Sequence, residues 1–243
     1  LAELVLLHDA SNIAAVVVEP MSGTSGVLPP PKGYLDRLRK ICNDHDILLI
    51  FDEVITGFGR MGSYSGAEEF GVTPDMMTVA KQITNGSIPL GAVVVKSSIY
   101  DAFIESGGPE YMVEFPHGYT YSAHPVACAA GIAALDLLVQ ENLVQRVKEM
   151  SSIFEESIHS LRSAPFVTDI RNYGLAGGIS LEHYPGEPLR RPFELGVKCF
   201  GKGYYVRWGG DTVQLAPPFI SSRDQIDRLI NAVGESLNEL EKS

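Results

Sequence analysis

Asp52 and Lys81 are the residues whose types and spacing could do chemistry. Each follows an apolar run: residues 47–51 deliver Asp52 and Glu53, and residues 76–80 deliver Lys81. A lysine that condenses with an aldehyde cofactor must sit where it can lose its proton. A partner carboxylate must keep the cofactor's ring nitrogen protonated, so that the ring can accept electrons. Asp52 and Lys81 suit these two roles. Taken alone, however, Asp52 could cap a turn, and a lysine after a buried strand often only reaches for solvent.

The elements that must position them can be read from the surrounding pattern. Both apolar runs lack a helical period and read as buried parallel strands, whose carboxyl ends form the ligand crevice of an open α/β sheet. Residues 13–18, branched and apolar, end at Glu19-Pro20 and predict a further strand reaching the same edge. A Gly/Ser/Pro-rich loop over residues 21–31 and a helix over about residues 32–44 complete a βαβ unit. After Lys81 the pattern predicts a strand over residues 91–95, a short helix from Ser98, and an irregular stretch over residues 106–123. That stretch carries His117, Tyr119, Thr120, Tyr121 and Ser122, a composition typical of binding loops. Helices over residues 126–140 and 143–161 follow.

Beyond residue 164 the pattern changes to strands over residues 167–175, 177–181, 204–207 and 213–216, with helices over residues 192–202 and 224–240. Ser222 reads as the N-cap of the last helix. Two domains are expected: residues 1–164 with a mainly parallel sheet, and residues 165–243 as a small α+β domain.

Composition narrows the function. The chain has 243 residues, 45% hydrophobic and 20% charged, with a formal net charge of -11. That charge argues against nucleic acid, and no run is long enough to span a bilayer. Small molecules and other protein chains are the expected partners. Cys42, Cys128 and Cys199 show neither paired nor metal-ligand spacing, which favours a reduced, cytoplasmic setting. The six histidines show no metal spacing either, so no metal site is expected.

Residues 57–62 formally match G-x-G-x-x-G. A dinucleotide fingerprint needs a strand running into the first glycine and a helix opening near the last. Here both carboxylates intervene, and Ser63-Tyr64-Ser65-Gly66 is a poor helix start, so a nicotinamide enzyme is disfavoured.

The segment Asp52-Glu53-Val54-Ile55-Thr56-Gly57-Phe58-Gly59-Arg60, followed by Pro74-Asp75 and Ala80-Lys81-Gln82, resembles the signature of class III pyridoxal-phosphate (PLP) aminotransferases of fold type I. Residues 115–125 and 205–212 look most like the omega-amino acid:pyruvate (beta-alanine:pyruvate) branch, and the similarity runs nearly end to end. The resemblance implies an α/β fold type I chain with a partial large domain and a C-terminal α+β domain. It implies that Lys81 holds PLP, Asp52 pairs with the ring nitrogen and Val54 packs against the ring. Thr120, with Tyr119 beside it, becomes a phosphate ligand donated across a dimer interface. Arg207 takes the substrate carboxylate and swings aside for uncharged substrates, while Glu19 resembles the acid that pairs with it in between. Ile55 departs from the glutamine that many members carry to bond the ring hydroxyl; an isoleucine cannot make that bond.

The implied activity moves an amino group from an omega-amino acid such as beta-alanine, or from an amine, to pyruvate. The alternatives are a class III decarboxylase or aminomutase, and a non-catalytic fragment without cofactor. The resemblance also implies that an N-terminal portion lies outside this chain, bearing the residues that stack on the ring and cup the phosphate. A homodimer or higher oligomer is expected, either of this chain alone or with that portion as a separate chain.

Overall fold

The computed structural model describes residues 1–240. In chain order the first half comprises α1 (Ala2–His8), β1 (Ala15–Val18), α2 (Tyr34–Asp44), β2 (Leu48–Asp52), α3 (Gly66–Phe70), β3 (Met76–Val79), β4 (Ala92–Val95), α4 (Ser97–Ser106) and α5 (Pro125–Gln140). Its sheet runs β1-β2-β3-β4, with the first three strands parallel and β4 antiparallel at the edge. Leu35, Leu38 and Cys42 of α2 pack on Ile47, Leu49 and Phe51, so the helix covers one face of the sheet. The other face of β2 is less enclosed, which is why its burial alternates. The helix starts at Tyr34, two residues later than its pattern suggests, because Gly33 adopts a left-handed conformation with φ 79°.

Edge strand β4 is apolar yet open: Val93 is 61%, Val94 49% and Val95 37% exposed.

The second half begins with α6 (Leu143–His159). It continues through β5 (Val167–Tyr173), β6 (Ala176–Leu181), α7 (Arg190–Gly201), β7 (Arg207–Gly209), β8 (Thr212–Leu215) and α8 (Arg223–Asn238). Its antiparallel sheet has the order β5-β6-β8-β7. The strand expected to run to residue 175 stops at Tyr173, since Gly174 turns the chain at φ 55° into a hairpin. Ser222 and Gln225 form a reciprocal capping box on α8. Val147, Phe154 and Ile158 of α6 share one core with Ile179, Val213, Ile226 and Leu237. Helix α6 thus shares its core with the rest of the second half of the chain.

One carboxylate knits the first sheet together. Asp75 accepts from Arg39 Nη1 at 2.7 Å, from Lys96 Nζ at 2.7 Å and from the Leu49 amide at 2.8 Å. Burial alone raises its pKa, but the amide and the two cations outweigh that and hold it down to about 2. A depressed carboxyl pKa stabilises the fold above the unfolded value near 4, and the contribution disappears as pH falls through the folded value. At neutral pH it is worth about 2 kcal/mol. Asp75→Asn is expected to lower urea stability by about that amount at pH 7 and by much less at pH 2. A loss independent of pH would refute the ionic account.

Candidate active site

Parallel pairing sets Asp52 opposite Thr78, so Lys81 emerges three residues further along, at the same sheet edge. Asp52 is partly buried at the end of β2. Its Oδ1 accepts from the Val54 amide at 3.0 Å, and its Oδ2 has no hydrogen-bond partner among the described residues. The next carboxylate serves a different purpose. Strand alternation sends Glu53 inward, where it is 1% exposed and accepts from the amides of Gly66 (2.8 Å) and Ala67 (2.9 Å) and from the Thr56 hydroxyl. Glu53 closes the loop after β2 onto the start of α3.

Lys81 occupies the left-handed region at φ 46°, opening a short 3-10 turn that runs to Thr84. That conformation costs a non-glycine residue about 1–2 kcal/mol, and it is held by the Gly86 amide donating to the Lys81 carbonyl at 3.0 Å. Strain of this kind gathers where backbone geometry serves a site. The side chain lines a cavity of about 240 Å³ together with Val54, Ile55, Met21, Arg207 and Gln214.

Arg207 does not sit in a buried apolar strand as its sequence suggests. Tyr204 is tied back to the end of α7, its amide donating to the Cys199 carbonyl at 2.9 Å. Strand β7 therefore starts only at Arg207, at the sheet edge, and the side chain is exposed to the cavity. Among the described residues it has no ion-pair or hydrogen-bond partner. Glu19 does not pair with it either: its carboxylate accepts from the Gly23 amide at 2.8 Å and from the Ser22 hydroxyl at 3.4 Å. Tyr119 and Thr120 are exposed. Tyr119 lines a second cavity with Lys81, and its amide donates to Ser122 Oγ at 2.9 Å. Thr120 lines neither cavity.

Arg60 is the residue that sequence reasoning missed. Its Nη1 donates to the carbonyls of Leu175 (2.9 Å) and Pro217 (2.8 Å), and its guanidinium lies 4.6 Å from the centre of the Phe219 ring. Burial pushes its pKa down to about 10. Arg60 lines the Lys81 cavity while joining the loop after β2 to the second half of the chain. Ser63-Tyr64-Ser65-Gly66, a poor helix start by its sequence, does open a helix, since Ser65 caps α3 by accepting from the Glu68 amide at 3.0 Å. What still separates this loop from a dinucleotide fingerprint is that β2 ends at Asp52, five residues before the first glycine.

Residues 2–237 match the model of the aminotransferase class-III family. The chain belongs to that family. Its relatives include the beta-alanine–pyruvate aminotransferase of Pseudomonas aeruginosa, 62% identical over 238 residues that make up 98% of this chain and 53% of the relative. The omega-amino acid–pyruvate aminotransferase of Pseudomonas putida is 60% identical, covering 99% of this chain and 54% of the relative. Among solved structures, a thermostable (S)-enantioselective omega-transaminase from Thermomicrobium roseum superimposes with a TM-score of 0.91 at 35% identity, over 98% of this chain and 53% of that one. An amine transaminase from an uncultivated Pseudomonas species, in its PLP-bound form, gives 0.90 at 36% identity, over 98% and 55%. This class-III chain thus spans about half the length of the curated relatives it matches, and it has the fold type I architecture expected of it.

Class-III aminotransferases use PLP. The residues of this member fit the ring end of that group. An amine and an apolar wall of Val54 and Ile55 meet at one cavity, and a carboxylate with a free oxygen stands at the adjoining strand end. No group of three or more His, Cys, Asp or Glu able to hold a metal exists among the described residues.

Proposed function

We propose that this chain carries the catalytic lysine, the ring-pairing acid and the carboxylate-binding arginine of a PLP-dependent transaminase. Its reaction moves an amino group from an omega-amino acid such as beta-alanine, or from an amine, to pyruvate. The observation that carries the reading is that Lys81 and Arg207 open on one cavity next to the strand that ends in Asp52. The beta-alanine and omega-amino acid specificities of relatives at about 60% identity support the substrate class.

Bound PLP would supply the electron sink. Asp52, its Oδ1 fixed by the Val54 amide, would keep a proton on the ring nitrogen through Oδ2. Val54 and Ile55 present an apolar surface to the ring. Lys81 would hold the group, and its amine, when free, would serve as base and acid at the substrate carbon. Arg207 donates to the carboxylate of beta-alanine or pyruvate, orienting the far end of the substrate. Tyr119 and Thr120, exposed on their loop, serve the phosphate of a neighbouring subunit in a homodimer or larger assembly. Further phosphate and ring contacts come from polypeptide equivalent to the part of the relatives that this chain does not span.

The test is borohydride reduction in the presence of PLP, followed by peptide mapping. A phosphopyridoxyl mass on the Lys81 peptide is expected, with none on Lys32 or Lys96. An unlabelled Lys81, both in the chain alone and after supplying the remaining half of a relative, would sink the assignment.

A further inference from the structure

The loop of residues 21–28 roofs the Lys81 cavity through Met21, Gly23 and Val27. Three side chains pin it. Glu19 accepts from the Gly23 amide at 2.8 Å, Arg171 Nε donates to the Gly26 carbonyl at 2.8 Å, and Gln214 Nε2 donates to the Thr24 carbonyl at 2.7 Å. Space on the cavity side is equally tight, because a Cβ on Gly23 would come within 2.5 Å of Ile55 Cδ1. Gln214 stands directly opposite Arg207 in the β7–β8 pair, and both side chains line the cavity.

We propose that Gln214 and Glu19 are positioning residues that hold the roof loop closed beside Arg207, so that a substrate carboxylate meets a preformed cationic pocket. Glu19 is thereby committed to the loop and is no counter-ion of Arg207. This rests on the reading of Arg207 as the carboxylate's partner. A pocket fixed before binding spares the ligand the ordering of its own walls, so releasing the roof weakens carboxylates selectively. An amine without a carboxylate makes no use of Arg207 and is indifferent to the change.

Gln214→Met keeps the length of the side chain and removes its donor. In the purified chain, hydrogen exchange of residues 21–28 is expected to quicken about fivefold in this variant and in Glu19→Gln, with β6 unchanged. Propionate, a carboxylate probe, is expected to bind about fivefold more weakly to Gln214→Met, while propylammonium is unaffected. Propionate binding that Arg207→Ala leaves untouched would defeat the arginine reading, and this inference with it. Binding that depends on Arg207 but is indifferent to Gln214→Met, or roof exchange unchanged by that variant, would overturn the positioning role alone. Equal weakening of both probes would reduce Gln214 to a structural residue and likewise overturn it.

Discussion

Asp52→Asn is expected to slow transamination between beta-alanine and pyruvate by about a thousandfold, or about 4 kcal/mol in the barrier, while PLP still attaches to Lys81. The substitution is nearly isosteric. The retained amide oxygen can go on accepting from the Val54 N–H, as Oδ1 does at 3.0 Å, so strand and turn stay in place. On the proposed role, what would disappear is the negative charge that holds a proton on the ring nitrogen, and with it the ring's capacity to take up electrons from the substrate carbon. Single-turnover rates measured beside the borohydride label at Lys81 separate the two effects. An intact label with a rate within tenfold of the wild type would show that Asp52 does not serve the ring. Loss of the label would instead point to a role in binding.

The largest effect on stability is expected at Glu53. Glu53→Ala strips the acceptor from the Gly66 and Ala67 amides and from the Thr56 hydroxyl in a site closed to water. Each stranded donor costs about 1–3 kcal/mol, so a loss of about 4 kcal/mol in urea unfolding is expected, allowing for partial relaxation. Relaxation is limited because the loop has little room: a Cβ added at Gly66 would already lie 2.5 Å from Pro20 Cβ. Glu53→Gln retains one acceptor oxygen but points an amide donor at other donors, so it should fall between the wild type and alanine. A loss below 1 kcal/mol for Glu53→Ala would mean that water replaces the carboxylate.

The parts of the site fixed by local pattern were legible. The apolar run before Asp52 becomes β2, displaced by one residue, and the run before Lys81 becomes β3. Their pairing brings the acid and the amine to one edge because parallel register follows from the βαβ connection. What depends on distant partners was not legible. Asp52 and Glu53 look alike in sequence, and only the closing of the Gly66 turn onto Glu53 separates an acid with one oxygen unclaimed among the described residues from a structural one. Arg60 is one residue of a glycine-rich loop until Leu175 and Pro217, more than a hundred positions away, come to accept from it. Arg207 looked buried because Tyr204, Tyr205 and Val206 read as strand. The tie from Tyr204 to α7 shifts the strand and moves the arginine to the cavity rim.

The openness of β4 bears on how this chain behaves in solution. Among the described residues its outer edge pairs with no other strand, and it presents main-chain donors and acceptors alongside the apolar stretch Ala92-Val93-Val94-Val95, which holds no proline or charge to discourage annealing. Such an edge is a template that another strand completes by zipping on, whether that strand belongs to the same polypeptide, to a partner or to a misfolded copy. Capping β4 therefore competes directly with clumping. Conditions that expose this edge should be those in which the material comes out of solution first.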